Sequence, residues 1–236
     1  MADSNKQPGL TIVTVVLNAA DALEKTIKSV ISQTQKIEYI VIDGGSTDET
    51  LSVIKKYQKY LAYWQSEPDK GIYDAMNKGI KKASGVYVNF LNAGDTLFSD
   101  DVCDTFINSL KTDSIYIYLM RIKRNDGKVV LPRWPALIRY YKLPTYHQGI
   151  IYPGELLKKT PYPLDCGMVG DFCHYFQLTK FTSVRPIVLL WCNYDITGVS
   201  SVNKKNLHNE FARVYKELGI PYVLSIVRIL RGKLGF

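Results

Sequence analysis

Glu67-Pro68-Asp69-Lys70-Gly71-Ile72-Tyr73-Asp74-Ala75-Met76-Asn77-Lys78-Gly79, followed shortly by Val86-Tyr87-Val88-Asn89-Phe90-Leu91-Asn92-Ala93-Gly94-Asp95, decides the fold. It reads in order as a polar loop, a short helix, a buried strand and a carboxylate at the strand's carboxyl end. Ile72, Met76, Ile80 and Ala83 recur at spacings of four and three, which places them on one helix face. In open α/β sheets a ligand settles in the crevice beyond the carboxyl ends of the strands. Asp95 stands there, and Mg²⁺ is typically held by one or two carboxylates together with substrate phosphates. The segment points to an alternating architecture and to phosphate chemistry at once.

The chain upstream keeps the same rhythm. Thr11-Ile12-Val13-Thr14-Val15-Val16-Leu17 is a continuous β-branched run, the pattern of a strand buried on both faces. A helix is expected from about Asp21, a good N-cap with Glu24 three residues on, packing Leu23, Ile27, Val30 and Ile31. Residues 39–42 form a second strand, which ends in Asp43-Gly44-Gly45-Ser46-Thr47-Asp48. The glycines permit a sharp turn, and Ser46, Thr47 or Asp48 caps the helix carrying Leu51, Ile54 and Tyr57. A third strand is expected over 62–66 and a fourth over 86–91. Regular alternation of strand and helix predicts a parallel sheet with right-handed crossovers.

The second half is less regular. Residues 115–123 and 128–131 flank Asn125-Asp126-Gly127, a hairpin signal. Prolines 132, 135, 144, 153, 161 and 163 then punctuate a loop-rich stretch, strand character returns over 187–193, and a helix is expected over 204–218. The divisions expected are a disordered 1–9, a regular half over 10–100 and a less regular half of the same domain over 101–203, which the family resemblance described below makes donor-binding and acceptor-binding with the catalytic base, respectively, and C-terminal helices over 204–236.

With 236 residues the chain is long enough to bury a core without disulfides, and its four cysteines show neither a C-x-x-C pair nor a zinc-like spacing. Reduced, buried thiols are expected. The first nine residues are polar, unlike a signal peptide, and no apolar run reaches the length of a membrane span. The expected location is the cytoplasm. Thirty Lys and Arg against twenty-two Asp and Glu leave a charge of +8, which favours anionic partners. No Arg-rich tract or nucleic-acid motif accompanies it, so nucleic acid is set aside and nucleotides or an acidic membrane surface are left.

Three groups of residues could carry chemistry. Asp43 ends the second strand over the crevice, where a carboxylate either accepts hydrogen bonds from a base or ribose or caps its own turn; position alone leaves both readings open. Asp74, Asn77 and Lys78 share the helix face opposite Met76 and Ile80, as a ligand site or an ordinary solvated surface would. Lys70 and Gly71 ahead of that helix suit an anion at its N-terminus. Asn92 and Asp95 make a metal and phosphate site or an Asn-Ala-Gly-Asp turn, in which Gly94 lets the backbone approach closely.

Taken together, Thr14-Val15-Val16-Leu17-Asn18, Asp43 to Asp48, Glu67 to Gly79 and Phe90-Leu91-Asn92-Ala93-Gly94-Asp95 occur in an order and spacing that resembles glycosyltransferase family 2 over about residues 10–200. These are the inverting enzymes of the GT-A fold, and the resemblance is greatest to bacterial members that build capsule, exopolysaccharide or lipopolysaccharide. It implies an α/β, single nucleotide-diphospho-sugar transferase domain with a mostly parallel central sheet flanked by helices, plus a C-terminal helical tail. It further implies that Asn18, Asp43, Lys70, Asp74, Asn92 and Asp95 surround the nucleotide sugar, and that Asp95 binds Mg²⁺ or Mn²⁺. Asn92 departs from the family's Asp-x-Asp motif by replacing its first carboxylate, and Gly94 occupies an often acidic position. Tyr146-His147-Gln148 resembles the family's His-Gln element, which places His147 and Gln148 near acceptor or phosphate. Gly170-Asp171-Phe172 resembles the motif that carries the general base, and Gly198-Val199-Ser200 its late Gly-x-Ser turn. The implied partners are a nucleotide-diphosphate sugar, UDP-linked first, and a glycan or lipid-linked oligosaccharide acceptor.

Other classes fit less well. A dinucleotide-dependent dehydrogenase needs Gly-x-Gly-x-x-Gly after the first strand, and Leu17-Asn18-Ala19-Ala20-Asp21 offers none. A sugar nucleotidyltransferase needs a Gly-rich phosphate loop with a basic residue at the same place. A non-catalytic sugar-nucleotide-binding or scaffold protein remains as the alternative, because fold does not guarantee activity. In the tail, Val223, Ile226, Val227, Leu230 and Leu234 form one stripe with Arg228, Arg231 and Lys233 mainly elsewhere. A basic amphipathic helix over 221–236 either lies on an anionic membrane, making the protein peripheral at its inner face, or packs on the domain.

Overall fold

The structure is a computed structural model; it describes residues 7–110, 113–123, 129–130, 143, 145–195 and 204–219. Its first half alternates as expected: β1 (Leu10–Val16), α1 (Ala20–Ile31), β2 (Glu38–Asp43), α2 (Thr50–Tyr57), β3 (Tyr63–Ser66), α3 (Ile72–Lys82) and β4 (Tyr87–Phe90). The second half adds β5 (Thr96–Leu97), α4 (Val102–Ser109), β6 (Ile115–Lys123), β7 (Val129–Val130), β8 (Ile150–Pro153), α5 (Gly154–Lys159), α6 (Gly170–Leu178), β9 (Val184–Asp195) and α7 (Lys204–Glu217).

All nine described strands join one sheet in the order β3-β2-β1-β4-β8-β6-β9-β5, with β7 on β6. β1 to β4 pair in parallel, and the crossover helices between them cover the faces. β8 then runs antiparallel to β4 and β6, and β9 returns parallel to β6. The hairpin signal corresponds to antiparallel pairing of β6 with β7; its turn lies outside the described residues. Pairing of Val16 with Asp43, and of Asp43 with Ser66, aligns the carboxyl ends of three strands into one rim.

Alternation along β1 feeds two cores. Leu10, Ile12 and Val16 face α1, α2 and α4 among Leu23, Ile27, Ile54 and Phe106. Val13 and Val15 face α3, α5 and α6 among Met76, Ile80, Leu157 and Tyr175. A third cluster, with Phe172, Cys173, Val214 and Tyr215, seats α7 on α6. All four cysteines are buried free thiols. Among the described residues no helix is long and apolar enough to cross a membrane. The 221–236 tail lies outside them.

Two local expectations are corrected. Asp21 does not cap α1: Ala19 occupies that position, and Glu24 instead holds Lys56 Nζ at 2.7 Å and Tyr57 Oη at 2.8 Å. The amides entering α1 are satisfied from the next loop, Ala19 N–H by Thr50 Oγ1 at 3.0 Å and Ala20 N–H by Asp48 Oδ2 at 3.3 Å. A local box loses here to a long-range cap that ties two βα loops together. Ile72 is exposed rather than packed, because it opens α3 at the rim while Met76 and Ile80 lie over the sheet.

Gly79 sets how closely α3 approaches β1. A Cβ there would lie 2.4 Å from Val13 Cγ1, on a fully buried strand. Gly79→Ala is expected to destabilise the protein by about 1–3 kcal/mol through overpacking, despite alanine's better helix propensity. A denaturant melt would show a lower midpoint at unchanged slope; an unchanged or higher midpoint contradicts the close packing.

Candidate active site at the strand ends

The rim begins where β1 and β2 end. Asp43 is fully buried, and its carboxylate accepts hydrogen bonds from Ser46 N–H at 3.1 Å, Ser46 Oγ at 2.5 Å and Ser66 Oγ at 2.6 Å. Asn18 completes the lock: its N–H donates to Ser46 Oγ at 2.7 Å, and its Oδ1 accepts Thr47 N–H at 2.8 Å. Asn18 adopts φ +49°, a left-handed conformation that asparagine tolerates better than most residues. Asp43 and Asn18 therefore shape the βα loops of this rim, and the turn-forming reading of Asp43 is realised in its contacts.

The loop before α3 is tied down from the helix. Asp74 Oδ2 accepts Lys70 N–H at 3.0 Å, and Lys78 Nζ reaches Pro68 O at 3.0 Å and Glu67 Oε1 at 2.9 Å. The hydrogen bond to Glu67 raises the Lys78 pKa above its ordinary value. Asn77 turns the other way: it donates to Tyr162 O at 2.9 Å and accepts from Tyr162 N–H at 2.8 Å. Of the helix-face triplet, Asp74 and Lys78 organise the loop while Asn77 anchors the segment leading to α6. Lys70 stays exposed at the rim.

At the centre lies Asp95, only 3% exposed. Its turn is held against α1 by Thr26, which donates to Asp95 O at 2.7 Å and accepts Gly94 N–H at 2.9 Å. Gly94 takes φ +102°, so backbone conformation rather than lack of space requires glycine. Asp95 Oδ2 accepts Gln148 Nε2–H at 2.9 Å, and Oδ1 accepts Asp195 N–H at 2.9 Å. Burial pushes this carboxyl up to about 7, against the lowering effect of these two hydrogen bonds. Gln148 is itself placed by Asn89, whose Nδ2 donates to Gln148 O at 2.9 Å and whose Oδ1 accepts Trp191 Nε1–H at 3.0 Å.

The opposite wall comes from α6. Asp171 sits in its first turn, where a negative charge is favoured by the helix dipole. Its Oδ1 accepts Phe172 N–H at 2.8 Å, and its Oδ2 lies 3.6 Å from His147 Nδ1. His147 Nε2 lies 3.0 Å from Asn92 Nδ2. Tyr73, from α3, donates to Met168 O at 3.1 Å just ahead of α6. Burial first, and the Asp171 charge second, hold its phenol well above the usual range. A second histidine of α6, His174, is fully buried against Tyr162 and bonded to Thr160 O at 2.6 Å; burial lowers its pKa to about 4. That ring is structural.

The structure thus brings Asn92, Asp95, His147, Gln148 and Asp171 together, and sets Asn18, Asp43, Lys70 and Asp74 along the neighbouring βα loops. Sequence reasoning missed Asp195, Asn89 and Trp191. Asp195 was within reach of it, because it ends a strand as Asp43 does and near Asp95. Among the described residues no cluster of three or more His, Cys, Asp or Glu could hold a metal unaided. The centre nonetheless suits a cation held mainly by phosphate oxygens. Asp95 is a buried carboxylate, and Asn92 Oδ1 and Gln148 Oε1 are buried acceptors without a protein partner.

Comparison with known proteins agrees with this architecture. Residues 11–183 match the family model for glycosyl transferase family 2. A PGL/p-HBAD biosynthesis glycosyltransferase of Mycobacterium bovis BCG is 37% identical over 240 residues, across 94% of this chain and 90% of that protein. S. aureus TarS shares the fold with a TM-score of 0.70 at 17% identity, over 88% of this chain and 39% of TarS. Its 1–349 portion in complex with UDP-GlcNAc gives 0.66 at 18% identity, over 88% of this chain and 66% of that one. The mannosyltransferase PcManGT of Pyrobaculum calidifontis, in complex with GDP-Man and Mn²⁺, also gives 0.66, at 17% identity over 97% of this chain and 66% of that one. The fold is GT-A.

The buried Asp95 carboxyl makes a pH prediction. Its folded pKa of about 7 exceeds the ordinary value of 3.8, so the folded state holds a proton that the unfolded chain has released. Its contribution to stability therefore falls as pH rises from about 4 to 7. In Asp95→Asn the amide oxygen can still accept Asp195 N–H, and Gln148 can turn its Oε1 to the new amide. The melting temperature of the variant relative to wild type, followed without added metal, should climb across that window. A difference independent of pH would contradict the assignment.

Proposed function

The chain belongs to glycosyl transferase family 2, and on that premise we propose that it is an inverting enzyme which moves a hexose-type sugar from a nucleotide-diphosphate donor to an acceptor hydroxyl. UDP-linked sugar is the favoured donor, and a glycan or lipid-linked oligosaccharide of the bacterial surface the favoured acceptor. The observation that carries this reading is the meeting of Asp95 and Asp171 across one rim from separate elements, with His147 and Gln148 between them. The complexes of TarS with UDP-GlcNAc and of PcManGT with GDP-Man support a nucleotide-sugar donor on this fold.

The chemistry follows from what each group can do. Asp171 Oδ2 takes the proton of the acceptor hydroxyl as that oxygen attacks the anomeric carbon from the face opposite the diphosphate. The bond from the anomeric carbon to the diphosphate oxygen breaks, and the nucleoside diphosphate leaves with the electron pair. Configuration at carbon inverts because a single displacement takes place. Asp95 would hold Mg²⁺ or Mn²⁺, with Asn92 Oδ1 and Gln148 Oε1 as further oxygen acceptors at the same centre. When bound, such a cation neutralises charge on the departing diphosphate. Lys70 adds positive charge at the exposed edge of the same rim. The loops shaped by Asn18, Asp43 and Asp74 receive the nucleoside.

Asp171→Asn should lower the transfer rate by about 10²–10⁴-fold, the usual contribution of a general base. The thermal shift produced by the preferred donor among UDP-, GDP- and dTDP-sugars with Mn²⁺ should persist in that variant and disappear in Asp95→Ala. A variant at Asp171 that keeps most of its rate is not missing the base. Donor shifts without any release of nucleotide when acceptor is supplied would favour a sugar-nucleotide-binding protein instead.

A further inference from the structure

Asn92 stands where the family's motif has a carboxylate, and its contacts supply a reason for the amide. Its Nδ2 lies 3.0 Å from His147 Nε2, while its Oδ1 is buried with no protein partner. An amide nitrogen only donates, so Nε2 accepts, and the neutral imidazole then carries its one proton on Nδ1. Nδ1 faces Asp171 Oδ2 at 3.6 Å, and the other oxygen of that carboxylate is engaged with Phe172 N–H. A polarised chain results, running from the end of β4 through the turn before β8 to the start of α6.

We propose that His147 is a positioning residue for Asp171, and that Asn92 sets the histidine tautomer which lets it act. This rests on the reading of Asp171 as the base. The 3.6 Å separation exceeds a hydrogen bond, but catalytic hydrogen bonds are often long before substrate arrives and tighten with it. With Nδ1–H aimed at Oδ2, one lone pair of that oxygen is held by histidine and the other is left for the acceptor hydroxyl. A carboxylate at position 92 would reverse the chain. It would accept from Nε2–H, and the neutral ring would then turn a lone pair toward Asp171. The departure from the motif is thereby a fitted part of the acceptor side, and not only the loss of a metal ligand.

Long-range ¹H–¹⁵N correlation of the imidazole rings in the full chain reads the tautomer without substrate. With three histidines present, His147→Asn identifies the signal. The wild type is expected to show Nδ1–H, and Asn92→Asp the Nε2–H tautomer. Wild-type Nε2–H overturns the proposal. Kinetics test the coupling. His147→Asn, whose amide can replace Nδ1–H, should keep kcat within about tenfold, whereas His147→Gln, which reaches toward the Nε2 position, should lose about 10- to 100-fold with donor KM unchanged. Equal rates in the two variants overturn it, as a merely structural histidine would give. In an Asp171→Asn background, His147→Gln should add no further loss. An added loss there shows that His147 acts without Asp171. Failure of the base reading is recognised separately, by an Asp171→Asn protein that retains its rate while the ring still shows Nδ1–H.

Discussion

Burial of the Asp95 carboxylate is the constraint on which the centre of the molecule turns. A carboxylate removed from water must be neutralised, hydrogen-bonded or matched to a cation. Here it recruits a side-chain amide from the turn before β8 and a backbone amide from the end of β9. Two segments distant in sequence are thereby drawn onto the turn that follows β4. The arrangement leaves the group poised: its proton is retained close to neutrality, and ionisation becomes easier once positive charge arrives beside it.

The remainder of the rim is organised around that point by polar groups working in pairs. Asn89 is buried in a strand, yet both ends of its amide are used, one on the Gln148 and Ile150 carbonyls and one on the Trp191 indole. Asn77 does the same for Tyr162, and so couples α3 to the approach of α6. Such bidentate amides define register in a way that apolar packing alone does not, because a shift of one residue would leave each of them buried and unpaired. The parallel half and the mixed half of the sheet are joined along β4 and β8 by this kind of contact as much as by the ladder itself.

How much of this was legible in the sequence follows from the range of the forces involved. The strands and helices to residue 91 were readable because β-branched runs and helical spacing are local. Asp43 and Asp95 were readable as rim residues for the same reason, since each ends such a run. The turn-capping role of Asp43 was legible as one of two readings, but its bond from Ser66 was not, because Ser66 lies 23 residues away and only pairing of β2 with β3 brings it near. Asp21 and Glu24 fit a capping pattern, but Thr50 and Asp48 supply the actual caps from another loop. α6, which carries Asp171, escaped notice because its residues are apolar nearly all round. It is covered by the sheet on one side and by α7 on the other, so no helical period stands out.

The four buried thiols have a practical consequence. Alkylating reagents react with thiolates, and burial raises the pKa of Cys103, Cys166, Cys173 and Cys192 above the ordinary thiol range. The native fold should therefore react with maleimides more slowly than exposed cysteines do. A single cysteine introduced on the rim loops would take a fluorophore alone, without prior removal of the natural ones. Reactivity of the natural thiols would then report opening of the core itself, since Cys103 on α4 and Cys192 on β9 share one core cluster and Cys166 and Cys173 belong to the cluster that seats α7.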